Sequence, residues 1–112
     1  MDQQNSMRPA NSEQAQQQMR KLLGRKIPGR RATKVKEHTK RALQIADALY
    51  RQFQVGPYQY RLSHLEWYFN IHIHTITPAS KYRHRLTARI IVKALGRWED
   101  WQHKLDGLFR LL

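Results

Sequence analysis

The sequence predicts an all-α protein, a small bundle of three to five helices carrying a flexible basic N-terminal arm. Three observations predict it. Apolar residues between Thr33 and Phe53 recur at helical spacing, and Thr77-Pro78 opens a second long apolar stripe. The one stretch that alternates like a strand, Ile71-His-Ile-His-Thr-Ile76, has no second strand to pair with. A length of 112 residues holds one small domain, and a hydrophobic fraction of 40% with three Trp, five Tyr and three Phe suffices for a core.

In chain order, residues 1–19 are polar and Gln-rich, with Arg8 their single basic residue. A short helix is expected over 12–23. Ser12 is its cap, Ala15, Met19, Leu22 and Leu23 its apolar stripe, and Gly24 its end. Alone in water so short a helix is marginal. Gly24-Arg-Lys-Ile-Pro-Gly-Arg-Arg31 then breaks regular structure, so residues 1–32 read as a polar, then basic, flexible arm, and 33–112 as the folded helical domain. Within that domain Val35, Ala42, Ile45, Ala46, Leu49, Tyr50 and Phe53 form the buried side of the first long helix, which Gly56-Pro57 ends. Ser63 and Glu66 have capping-box spacing, with Leu62 and Trp67 as a staple, and predict a helix over 64–72. Ile71–Ile76 is assigned to that helix's end and the following loop. Thr77 as N-cap and Pro78 at N1 start the last long helix, expected over 78–104. Tyr82, Leu86, Ile90, Ile91, Ala94, Leu95, Trp98, Trp101 and Leu105 form its apolar face, and Gly96 is a soft point. Asp106-Gly107 interrupts it before a final apolar run, Leu108-Phe-Arg-Leu-Leu112.

Charge narrows the function. With 21 Lys+Arg against 8 Asp+Glu the chain carries +13, which attracts polyanions and points away from an enzyme acting on a neutral small molecule. The chain has no cysteine and no apolar run of membrane-spanning length, and its N-terminus has no signal-peptide stretch. These features fit a cytoplasmic protein, nucleoid-associated when bound. Along the last long helix Lys81, Arg85, Arg89, Lys93 and Arg97 recur every fourth residue, with Arg83 and His84 beside the first turn, and no acid joins them before Glu99. Steps of four drift about 40° each, so the ladder keeps to one broad side and suits a row of phosphates. The plain alternative is a solvated face. Residues 20–41 hold a second cluster of ten basic residues against Glu37. Lys34, Lys36, Lys40 and Arg41 lie near a helix start, where cations oppose the helix dipole, and Arg30 and Arg31 sit in the arm. His72-x-His74 lacks a third ligand, His38-x-x-Arg41 lacks a nucleophile, and no phosphate loop or paired-carboxylate motif occurs. No metal, cofactor or catalytic constellation is expected.

Three stretches together resemble the core-binding domain of the tyrosine recombinases of phages and mobile elements, a SAM-like helical module: His38-Thr-Lys-Arg-Ala-Leu-Gln-Ile-Ala-Asp-Ala-Leu-Tyr50, Leu62-Ser-His-Leu-Glu-Trp-Tyr-Phe69 and Thr77-Pro-Ala-Ser-Lys-Tyr-Arg-His-Arg-Leu through Trp98. The last is similar to that family's Ser/Thr-Pro helix with Leu and Phe/Trp at its later turns, and the likeness covers residues 33–105. It implies a non-catalytic module that clamps duplex DNA in integration and recombination. Lys81, Arg83, Arg85 and Arg89 on the third helix would touch DNA, with Lys36, Lys40 and Arg41 on the first. The family's catalytic arginines and nucleophilic tyrosine belong to a separate domain for which 112 residues leave no room. Duplex DNA is therefore the expected partner. The alternative is a small adaptor or inhibitor that meets an acidic protein partner, or RNA, with the 12–23 helix or Leu108–Leu112 as its apolar docking element.

Overall fold

The computed structural model describes residues 7–29 and 31–110, with side chains described as far as 105. Five α-helices follow one another: α1 (Ser12–Leu23), α2 (Ala32–Phe53), α3 (Leu62–Trp67), α4 (Pro78–Ala94) and α5 (Trp98–Arg110). A 3-10 turn, Pro57–Gln59, precedes α3, and a π-helical turn, Tyr68–His72, prolongs it. No strand occurs among the described residues. The expected all-α bundle is thus observed, at the upper end of its helix count.

α1 spans the expected residues but takes its cap one residue earlier, at Asn11 instead of Ser12. Asn11 accepts from the Gln14 N–H at 2.8 Å, while the Ser12 hydroxyl is turned to α2 and donates to Asp47 at 2.5 Å. Tyr50 Oη donates to the Ala10 carbonyl and Arg8 Nε to that of Gln54, so the start of α1 lies against the end of α2 and the two helices run antiparallel. α1 buries Ala15, Met19, Leu22 and Leu23 completely or nearly so. That corrects the reading of residues 1–32 as an arm outside the domain. Met19, Leu22, Leu23 and the linker's Ile27 share one continuous core with Ile45 and Leu49 of α2, Leu65, Tyr68, Phe69, Ile91 and Val92 of α4, and Leu105 of α5.

α2 starts without a side-chain cap and without an acid in its first turn, so packing holds it. It ends where Gln54 turns into the left-handed region. α3 starts earlier than expected. Ser63 lies inside the helix, and the role planned for Glu66 falls to His64, whose Nδ1 accepts the Arg61 N–H at 3.0 Å. Thr77 caps α4 as expected, accepting from the Ser80 N–H.

The long helix expected over 78–104 is two helices. Gly96 at φ +72° ends α4, Arg97 stands between the helices, and α5 starts again at Trp98. The interruption expected at Asp106-Gly107 does not occur, since the backbone of α5 continues to Arg110. Tyr82, counted with the apolar face, is 51% exposed.

Candidate nucleic-acid interface

Two features of α4 organise the basic surface: a ridge along its length and a cleft where it crosses α2. On the ridge, Lys81, Arg85, Arg89 and Lys93 fall one above another at about 6 Å per step. Arg97 lies beyond the end of α4, so the ladder has four rungs on one helix and a fifth at the junction. Aromatic rings lie under the cations. The Arg85 guanidinium carbon is 4.8 Å from the Tyr82 ring centre, Arg89 is 5.0 Å and the Lys93 ammonium 5.5 Å from Trp98, and Arg97 is 5.9 Å from Trp101. Such stacking restrains long side chains while leaving their N–H groups for an anion. Lys81, Arg89 and Lys93 form no salt bridge with any described residue.

The cleft, of about 300 Å³, is lined by Glu37, Lys40, Arg41 and Gln44 of α2 and by Ser80, Arg83 and His84 of α4. Beneath the lining residue Arg41 is Thr87, a polar residue only 1% exposed. The Thr87 hydroxyl accepts from Arg41 Nε at 3.0 Å. Its one proton has two acceptors in reach, the Arg83 carbonyl at 3.2 Å and, with Nδ1 unprotonated, His38 at 2.9 Å. Burial, then the charge of Arg41, holds the His38 pKa below its ordinary value, which favours that neutral form. Behind the cleft Tyr68 Oη lies 3.0 Å from His84 Nδ1. Burial raises the Tyr68 phenol pKa, and burial together with Arg41 and His72 lowers that of His84, so a phenol donating to a neutral imidazole is the favoured arrangement. His72 stacks on Trp67 at 5.2 Å, and His74 bonds the Ile71 carbonyl. No group of three or more His, Asp or Glu side chains among the described residues is placed to hold a metal.

The remaining predicted site residues are spread. Arg31, Lys34 and Lys36 are exposed on the first turns of α2. Lys36 and Lys40 also line an open groove of about 800 Å³ between α1 and α2, opposite Arg20 and beside the Arg51–Asp47 ion pair. Arg30 lies outside the described residues, as do Leu111 and Leu112 and the side chains of 106–110. No described helix is long and apolar enough to cross a membrane.

Of the residues singled out in the sequence, Lys40, Arg41 and Arg83 come together at the cleft, while Thr87, Ser80, Gln44 and the part played by Trp98 were missed. Tyr82/Arg85 and Arg97/Trp101 have spacings of three and four that could have revealed their stacking. Arg89 and Trp98 could not. Nine residues on one helix fall on opposite faces, and only the break at Gly96 brings that ring under Arg89. Comparison with family models, with curated proteins and with solved structures gives no match for this chain.

Proposed function

We propose that this chain is a duplex-DNA-binding module that holds the backbone through the basic side of α4 and the adjoining surface of α2, and that it does not itself cut or join DNA. What carries the reading is the α4 ridge. Lys81, Arg89 and Lys93 stand about two turns and one turn apart along one side, without a salt bridge to any described residue, and two of them rest on a single indole. Like charges in a row repel, and a row of phosphates relieves that repulsion while releasing condensed counterions. The resemblance to the core-binding domain of tyrosine recombinases supports the same reading and supplies a setting, in which a separate domain would perform the chemistry.

The adaptor reading has one observation of its own. A groove of about 640 Å³ beside the ridge is lined by Pro28, Leu86, Ile90 and Ala94, with Lys26, Arg89 and Lys93 at its edges, and would suit an acidic, apolar peptide.

Fluorescence anisotropy of a labelled duplex of about 20 bp, titrated over about 50 to 300 mM salt, separates the two, since several phosphate contacts give a log–log slope of about −4 or steeper. Arg85→Glu with Arg89→Glu is expected to weaken binding by roughly tenfold or more, because two phosphate contacts become repulsions, while the helical circular dichroism stays unchanged. Unchanged affinity in that double variant would remove the ridge from the interface. Salt-insensitive binding would favour the protein partner.

A further inference from the structure

A basic face that only tracks a backbone needs charge at its rim. The crossing of α2 and α4 has more than that: a buried device that fixes one guanidinium. Arg41 is gripped from below at Nε by the Thr87 hydroxyl, and its terminal nitrogen lies 3.4 Å from His38 Nδ1. The Thr87 hydroxyl lies within reach of both the Arg83 carbonyl of its own helix, at 3.2 Å, and His38 Nδ1, at 2.9 Å. With Nε on Thr87 and one terminal N–H toward His38, the remaining N–H groups of the fork are left for something in the cleft.

We propose that the cleft is a seat for a single phosphate group supplied by the DNA backbone, in which Thr87 positions Arg41, and Arg41, Arg83, Lys40 and His84 are the donors. The seat rests on the duplex-binding reading for the source of its phosphate.

Two features support it, and a third sets its strength. First, the two guanidiniums of Arg41 and Arg83 repel each other in a partly dry place. Burial disfavours the charge on Arg41, Glu37 favours it, and Arg83 disfavours it again. An anion between them offsets both costs. Second, His84 brings a donor without a charge. Its Nδ1 is taken by the Tyr68 hydroxyl, so the proton of the neutral ring sits on Nε2, the nitrogen left for a ligand. The groups facing that ring are Glu37, Lys40 and Arg41 from α2, Arg83 from α4, and Tyr68 and His72 from the π-helical turn. Third, Glu37 lines the same cleft without a salt bridge to any described residue, so it opposes an incoming anion and tempers the affinity of the empty seat.

The test uses the full chain, first with inorganic phosphate at constant ionic strength and then with duplex DNA. In proton–nitrogen correlation spectra phosphate is expected to give saturable shifts at the Arg41 and Arg83 Nε–H and the His84 ring that chloride does not reproduce. Thr87→Val, which keeps the shape and removes the hydroxyl, should abolish the Arg41 shift. It should also lower the duplex salt slope by about 0.9, one phosphate's worth. Thr87→Ser should restore both, and Glu37→Gln should tighten phosphate binding by roughly threefold. If Thr87→Val does not fold, Arg41→Gln against Arg41→Lys reads the same contact. No saturable shift in the parent protein, or a Thr87→Val slope equal to the parent's, overturns the seat even where duplex binding is strong. Saturable phosphate shifts without duplex binding overturn the duplex reading, and with it the DNA backbone as the source.

Discussion

At the scale of single residues, Thr87 and the histidines around the core tie stability to protons. His38 reaches Thr87 Oγ1, His64 Nδ1 closes the start of α3 by accepting a backbone N–H, and His84 Nδ1 takes the Tyr68 hydroxyl. An acceptor role at Nδ1 is lost on protonation, and each pKa lies below the ordinary 6.5, chiefly through burial and then through neighbouring arginines. In the unfolded chain the same groups titrate near 6.5 and bind protons first. Stability therefore rises with pH across this window, is fully present above about pH 6.5 and is lost as pH falls toward the lowered folded values. Thermal unfolding followed by circular dichroism should give a melting temperature that drops between about pH 7.5 and 5.5. His64→Gln, whose side-chain oxygen still accepts the Arg61 N–H, should make that drop shallower. A flat profile over the window would mean that the rings shed these contacts at no cost. The pairings of His38 and His84 are not legible in the sequence. His38 and Thr87 are separated by 49 positions, and no local pattern announces which buried hydroxyl a histidine on another helix will find.

At the scale of elements, most starts and stops follow from local chemistry, and the exceptions have a common cause. Thr77-Pro78 opens α4, and Gly24 closes α1 with its N–H on the Arg20 carbonyl. Ser12 and Ser63 had the right residue types for caps, yet the caps fall at Asn11 and Arg61, one and two positions earlier, because other side chains decide the geometry. Asp47 of α2 takes the Ser12 hydroxyl, and His64 supplants Glu66. The split between α4 and α5 is the consequential case. The apolar stripe runs on through Trp98 and Trp101, so periodicity alone favours one helix. Gly96 at φ +72° decides otherwise, and the chain turns back far enough to set Trp98 beneath Arg89 and Lys93. A Cβ at Gly96 would meet no atom within 4 Å, so the cost of Gly96→Ala is backbone strain alone. A loss of about 1 kcal/mol is expected from chemical denaturation, with the denaturant slope unchanged. A larger loss, or a changed slope, would show that the variant straightens the junction rather than straining it.

At the scale of the whole molecule, composition misplaced the domain's edge, and the reason lies in how a helix divides its residues. α1 shows solvent a side rich in Gln and charge, and composition weighs that outer side. The inner side is Ala15, Met19, Leu22 and Leu23, a stripe visible at helical spacing but silent about what it packs on. Its partners are both long helices, α2 and α4, together with the 3-10 turn. The radius of gyration agrees. At 13.4 Å it matches the roughly 13 Å expected for one compact domain of this length, as the packing of α1 on the bundle requires. The two readings differ in what truncation does. Were residues 1–32 a separable arm, removal of 1–26 would leave a folded domain that merely binds DNA more weakly. With α1 in the core, the truncated chain exposes the faces of α2 and α4 that Met19, Leu22 and Leu23 cover, and it should lose cooperative unfolding altogether. Met19→Ala is the gentler probe of the same point. Its side chain is 0% exposed, so truncation should cost about 2 to 5 kcal/mol, a large share of the roughly 5 to 15 kcal/mol typical of a domain. Urea unfolding of the full chain measures it. A loss below about 0.5 kcal/mol, the range of surface substitutions, would return α1 to the status of an arm.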